Sequence, residues 1–231
     1  MSGSARRGRT APGSRAPGVD RTLPCDESEA SDGLLLRRVG IGAVLWRIHR
    51  REQGAVFYGD GSIDYRFNDP GPGATHPQAP PAYGGAVHDS GAFGVCYLGF
   101  SPETAFVETF LRRPARRDLA RKEIDARRLT PLRTVRELRL VQLDGPGLNR
   151  AGVDGAVVNG NDYALSRAVS RLLWRRADQP DGILYPARHD NHLYAAAIFD
   201  RAQAALAPGP AEPIDDELLR RLIQRYRFGL L

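Results

Sequence analysis

Two arginines stand inside segments that otherwise read as apolar. Arg47 lies between Trp46 and Ile48, and Arg66 sits in Tyr65-Arg66-Phe67-Asn68, again among aromatics. A guanidinium so placed either turns to solvent with its stem on a ring or is held by an anion. Its planar fork makes paired hydrogen bonds and suits a phosphate group. Without further information, the packed edge-strand arginine is the commoner case. Glu108 falls on the flank of a helical stretch near Thr104 and Arg112, where a surface carboxylate paired with Arg112 is the simpler reading. Ser166 lies at the border of a helix's apolar face, and Ser170 follows one turn later. Small serines at such borders commonly serve packing. His189 and His192 are three apart on a loop with no evident third ligand, so no metal site is expected.

These residues need elements to hold them. Val44-Leu45-Trp46-Arg47-Ile48 reads as a strand and 55–58 as a short one. Val95-Cys96-Tyr97-Leu98 is a buried-strand candidate. Ser101-Pro102-Glu103-Thr104 follows as a helix start, with Ser101 the cap and Pro102 the first helical position. Phe106, Val107, Phe110 and Leu111 form the apolar side of that helix, which ends near Pro114. A basic, helix-prone segment continues to about Arg128, and 138–143 reads as a strand. Asn161-Asp162 opens the clearest helix, with Leu165, Ala168, Val169, Leu172 and Leu173 on one stripe. Strands are expected at 182–185 and 193–199, and a last helix at 215–226. Residues 69–91 are dense in proline and glycine and read as a long loop of the kind that often borders an active site. Separated short strands and helices predict a single domain of α+β (mixed α/β) class.

Composition narrows the function classes. A chain of 231 residues suits one domain with a tail. Residues 1–32, rich in Gly, Ser, Pro and Arg, are expected to be disordered, with the folded domain at 33–231. No apolar run reaches the roughly 18 residues of a membrane helix, and no signal peptide is evident, so a cytoplasmic protein is expected. Two cysteines, Cys25 and Cys96, give no disulfide framework or CxxC site. Lys122 is the single lysine, which disfavours Schiff-base chemistry. The sequence holds no Walker loop, GxGxxG, HExxH or GxSxG. Net charge is +6, and 112–139 alone carries eleven positive and four negative side chains. That run reads first as a solvated helix face and second as a nucleic-acid surface. Within it, Arg127 is expected to lie outside any site.

Taken in order, several blocks resemble a known family. Leu45-Trp46-Arg47-Ile48, Tyr65-Arg66-Phe67-Asn68, Val95-Cys96-Tyr97-Leu98 and Ala105-Phe106-Val107-Glu108 are similar to the successive blocks of the RES-domain family. Tyr163-Ala164-Leu165-Ser166-Arg167-Ala168 and Asp181-Gly182-Ile183-Leu184-Tyr185-Pro186 resemble its second half. The likeness spans about 44–200. It implies an NAD-degrading phosphorylase or glycohydrolase with a fold like that of ADP-ribosyltransferase toxins. Many members are toxins held inactive by a cognate antitoxin. By position, Arg47 and Arg66 match the family's arginines, Tyr97 its tyrosine, Glu108 its glutamate, and Ser166 its serine, with Ser170 the alternative. Two departures stand out: the loop between Arg66 and Tyr97 is long, and Ala187 stands where many members carry serine.

The resemblance implies a catalytic set of Glu108, Arg47 and Ser166, with substrate held by Arg47, Arg66, Tyr97 and Ser166. Breaking the nicotinamide–ribose bond passes through an oxocarbenium-like state, which a nearby carboxylate stabilises. No cofactor is expected: NAD is consumed as substrate, with inorganic phosphate a possible co-substrate. Expected partners are NAD and a cognate antitoxin protein, with no membrane, and with nucleic acid reached through an antitoxin if at all. Two competing expectations are an ADP-ribosyltransferase acting on a macromolecule and a non-enzymatic nucleic-acid-binding protein working through 112–139.

Overall fold

The chain's structure is a computed structural model that describes residues 26–28, 33–58, 65–69, 71, 93–112 and 117–231. Eleven strands are described: β1 (Asp26–Ser28), β2 (Leu36–Val39), β3 (Val44–Arg50), β4 (Val95–Gly99), β5 (Asp118–Leu119), β6 (Arg127–Thr134), β7 (Leu138–Gln142), β8 (Gly182–Ala187), β9 (Asp190–Phe199), β10 (Leu206–Pro208) and β11 (Gly229–Leu230). The helices are α1 (Pro102–Phe110), α2 (Arg121–Asp125), α3 (Gly145–Arg150), α4 (Ala156–Asn159), α5 (Tyr163–Trp174) and α6 (Asp216–Tyr226).

Nine strands join in the order β1-β2-β7-β8-β9-β4-β3-β6-β10, and β11 pairs with β5 separately. Only β7 and β8 run parallel within the large sheet, because α3, α4 and α5 intervene and supply the crossover that parallel neighbours need. The class is α+β. Alternation along β9 divides the core: Ala195, Ala197 and Phe199 face a cluster with Leu165, Val169 and Leu173 of α5. Ala196 and Ile198 face the opposite cluster with Leu45, Cys96 and Leu132. A third cluster joins Phe106 and Phe110 of α1 to Leu218, Leu219 and Leu222 of α6.

One irregularity in this sheet matters most for function. β3 pairs with β6 along its whole length, from Val44↔Arg133 to Arg50↔Arg127. β4 likewise pairs with β9 from Val95↔Phe199 to Gly99↔Ala195. Between β3 and β4, however, the register holds a single pair, Trp46↔Gly99. The sheet therefore splits beyond that point, and the two lips are Arg47 to Arg50 and Val95 to Leu98.

Helix α1 starts directly at the hinge of the split. The Ser101 side chain, in extended backbone, accepts from the Thr104 N–H at 3.1 Å, and Pro102 takes the first turn. Gly99 lets α1 approach: a Cβ there would lie 2.6 Å from the Ala105 nitrogen and 2.9 Å from the Ser101 carbonyl oxygen. Backbone cannot swing aside as a side-chain tip can, so Gly99→Ala is expected to cost about 1–3 kcal/mol of stability, measured by chemical denaturation.

Several elements differ from the sequence-based expectation. Residues 55–58 are irregular, with a bend at 55–56, and form no strand; the carbonyls of Ala55 and Phe57 are taken by the Arg47 side chain and not by a ladder. Among the described residues, the basic segment is helical only over Arg121–Asp125 and then enters β6, which runs through Pro131 between β3 and β10. Its partners on both sides decide that strand over local helix propensity. Within the stretch expected as a tail, Asp26–Ser28 pairs with β2; the rest of that stretch up to residue 32, and most of the 69–91 loop, lie outside the described residues. No helix among the described residues is long and apolar enough to cross a membrane.

Candidate active site

The split between β3 and β4 opens into a cavity of about 300 Å³. Its walls carry Arg47 and Arg50 from β3, Tyr97 from β4, Glu108 and Arg112 from α1 and its end, and Tyr65 and Arg66 from the segment before the long loop. Arg127, Tyr163, Tyr185, Arg188 and His189 add to the polar lining. Six arginines thus surround one carboxylate, Glu108, among the described lining residues. Such a cavity attracts anions while keeping one negative charge at a fixed place.

Glu108 is half-buried, not a free surface group. Its Oε1 accepts a hydrogen bond from the Arg188 backbone N–H at 3.1 Å. Burial raises its pKa above the usual carboxylate value, opposed by that N–H and by the charges of Arg112, Arg66 and His189. The simple pairing of Glu108 with Arg112 on a solvated face is therefore replaced by a seat in the cleft. The Arg112 guanidinium instead lies over the Tyr65 ring at 5.4 Å.

Arg66 is 8% exposed. Its Nη1 donates to the Val157 and Gly160 carbonyls at 3.3 and 3.1 Å, and its guanidinium lies 4.8 Å from the Tyr163 ring centre. Burial pushes its pKa down, while Tyr163, Tyr185 and Glu108 oppose that shift. Arg47 bridges the split: Nη1 donates at 2.9 Å to the carbonyls of Ala55 and Phe57 and meets the Cys96 Sγ of β4 at 2.9 Å. Both arginines therefore line the cavity and also hold its walls. The Tyr97 hydroxyl accepts from the Phe67 N–H at 2.9 Å and donates to Asn68 Oδ1 at 3.3 Å, fixing the segment that carries Arg66. Burial raises the Tyr97 pKa, so it stays a neutral hydroxyl.

Ser166 is placed differently from a cleft-facing serine. It is fully buried and is not part of the cavity wall. Its Oγ donates to the Val157 carbonyl at 2.6 Å, the same carbonyl that Arg66 uses. One turn later, Ser170 Oγ donates to the Phe67 carbonyl at 2.8 Å. The two serines of α5 thus tether the two segments that carry and orient Arg66. In this structure the Ser166 hydroxyl donates inside the core and does not reach the cavity wall, where a substrate-binding serine is expected. Ser166→Ala leaves a buried carbonyl with a poorer partner set and is expected to lower stability by about 1–3 kcal/mol in chemical denaturation.

Arg112, Arg127, Arg188, Tyr163 and Tyr185 belong to the cavity but were not singled out by sequence. Arg127 was expected to lie outside the site, and it lines it. Its neighbours in sequence look like a solvated charge run; only the β3–β6 pairing brings it beside Arg50. Tyr185 and Arg188 lie in or just after Gly182-Ile183-Leu184-Tyr185-Pro186, a segment whose family likeness was the one available signal. Of the two loop histidines, the His189 ring meets the Arg112 carbonyl at 3.1 Å and His192 donates its N–H to Asp190. No group of three or more metal-ligating side chains occurs among the described residues.

Comparison with known proteins shows the family and the fold. A family model described as "RES domain" matches residues 44–219, which holds every residue of the cavity named above. A solved structure titled as the M. tuberculosis MbcT–MbcA toxin–antitoxin complex aligns with a TM-score of 0.54 at 19% identity, covering 80% of this chain and 91% of the other. At that identity the likeness concerns the fold. No curated protein gives a significant match.

Proposed function

Because the chain belongs to the RES family, we propose that it breaks the nicotinamide–ribose bond of NAD in the split between β3 and β4. The observation that carries this reading is the single half-buried carboxylate, Glu108, set among six arginines. A dinucleotide brings a negative diphosphate to the cleft and a positive pyridinium to the reacting end. Arginine forks suit the first, and one carboxylate suits the second.

The step balances without an added proton. The C–N bond between ribose C1′ and nicotinamide breaks, and its electron pair leaves with the ring nitrogen, which becomes neutral. Positive charge develops across C1′ and the ring oxygen, and Glu108 faces it. An oxygen of water or of inorganic phosphate then bonds to C1′ and loses its proton to solvent. The leaving group is already cationic, so no general acid is required, and a site with one carboxylate suffices. Tyr97, Tyr163 and Tyr185 supply aromatic surface around the ring. The remaining work is positioning, which the walls held by Arg47, Arg66, Ser166 and Ser170 provide.

The solved neighbour's title names a toxin bound to its antitoxin. We carry that arrangement over as part of the proposal: uncontrolled NAD loss is harmful, so a protein of this kind needs a partner that closes the cleft. Transfer of ADP-ribose to a macromolecule would use the same bond cleavage with a different acceptor. The test is incubation of the full chain with NAD, with and without inorganic phosphate, read by mass. Free nicotinamide with ADP-ribose or its phosphate ester supports the reading. Intact NAD, or ADP-ribose found only as a mass increase on macromolecules, overturns it.

A further inference from the structure

Three of the six cavity arginines have their guanidinium groups committed to neighbours. Arg47 holds Ala55, Phe57 and Cys96; Arg66 holds Val157 and Gly160 and stacks on Tyr163; Arg188 donates to Asn161. Arg50 and Arg127 are different. They oppose one another directly across the β3–β6 register, so their side chains project from the same face. Both line the cavity. Arg50 is exposed and Arg127 half-buried.

Among the described residues, neither guanidinium has a carboxylate within salt-bridge distance. Glu52 and Glu123 act on Arg127 only at longer range, and Arg50 repels it. Directly opposed like charges destabilise an antiparallel pair. Partial burial lowers the Arg127 pKa most, and the facing charge of Arg50 lowers it further. A tetrahedral dianion between the two strands would reverse the sign of the interaction. Each guanidinium would gain charge-assisted bonds, and the repulsion would become a shared attraction. Arg112, over the Tyr65 ring on the facing wall, adds a third positive charge nearby.

We propose that Arg50 and Arg127 form a phosphate subsite of the cleft, separate from Glu108, which takes either the diphosphate of the dinucleotide or a free inorganic phosphate. This rests on the NAD reading for the identity of the substrate, but not for the existence of the subsite. Arg47 and Arg66, the residues first expected to bind phosphate, then act mainly as braces of the split and of the Val157–Gly160 carbonyls.

The test compares wild type, Arg50→Gln, Arg127→Gln and the double variant on two substrates. NAD carries the diphosphate; nicotinamide riboside has the same scissile bond and no phosphate. For a diphosphate subsite, each single change raises the KM for NAD roughly ten- to a hundredfold, the loss expected for a charge-assisted bond. Nicotinamide riboside turnover stays within about twofold by the same reasoning, since no phosphate contact is lost. For a free-phosphate subsite, the KM for inorganic phosphate rises by that factor and exceeds any change in the KM for NAD. Thermal melting is expected to be unchanged or higher in the double variant, because a repulsion has been removed.

Unchanged KM for both NAD and phosphate overturns the subsite. So does a parallel loss on nicotinamide riboside or a large drop in melting temperature, since those mark a structural role. If the wild type leaves NAD intact, the proposed reaction fails, and the subsite is then judged by calorimetric binding of inorganic pyrophosphate. Salt-sensitive binding that the double variant loses supports it; equal binding by both proteins overturns it.

Discussion

Glu108→Gln is expected to lower the turnover of NAD roughly 10²–10³-fold while leaving the fold intact, the range seen when one preorganised electrostatic group is removed. The amide keeps the shape and can still accept from the Arg188 N–H. What it lacks is the negative charge beside the developing ribose cation. The loss should therefore fall on kcat, with a small change in KM. Steady-state rates of nicotinamide release measure both.

The same residue sets a pH dependence whose sign follows from its surroundings. Burial raises the Glu108 pKa, and in the proposed reaction the ionised form is the active one. Wild-type activity should therefore fall as pH drops through a window lying above the ordinary carboxylate range, and Glu108→Gln should lack that limb. Stability runs the other way. The folded chain holds this proton more tightly than the unfolded chain, so the contribution is fully present below the unfolded value and is lost as pH rises through the folded one. Melting curves on either side of the window should show Glu108→Gln gaining relative to wild type at the higher pH. A group that is costly to keep charged yet kept in a cavity is the usual mark of function over stability.

The second large effect concerns Asp69. Its carboxylate accepts from the Gly71 N–H at 3.0 Å and the Phe93 N–H at 3.2 Å, and it pairs with Arg171 of α5. The two side chains are 8% and 10% exposed. Gly71 and Phe93 flank the long proline- and glycine-rich segment, so one carboxylate ties both of its ends to the helix that also carries Ser166 and Ser170. Removing one partner of a buried pair leaves the other charge uncompensated, at a cost of about 3–5 kcal/mol. Asp69→Ala is therefore expected to destabilise by that amount in urea denaturation. Arg171→Met should cost less than Asp69→Ala, because it spares the two backbone bonds. Equal and small losses would mean that the segment is anchored elsewhere.

Much of this site was legible in sequence, for reasons that differ from residue to residue. The α1 start could be read because Ser101 and Pro102 are local signals, and the structure uses Ser101 as the cap. The stripe of α5 could be read because its period is intrinsic to the helix. Glu108 could not be placed by spacing, since a flank position looks alike whether it faces water or a cleft; only the family likeness selected it. Arg127 was misplaced for a related reason. Cross-strand pairing between residues 50 and 127 has no local signature, and a run of charges hides the one member that turns inward. The split of the sheet was likewise invisible, because each lip pairs fully with its other neighbour. Ser166 shows the converse: its type and position fit the family pattern, yet the nearest acceptor, the Val157 carbonyl, turns it into the core.

The proposed reaction requires one chemical arrangement, in which the fixed negative charge of Glu108 meets the ribose end of a dinucleotide and the cleft arginines meet its phosphates. The most direct measurement is a crystal structure of Glu108→Gln soaked with NAD, where slow turnover preserves the intact substrate. The account predicts ribose C1′ in contact with side chain 108 inside the β3–β4 split, with the diphosphate among the cleft arginines. NAD bound outside the split, or bound with its nicotinamide ribose remote from residue 108, would contradict it.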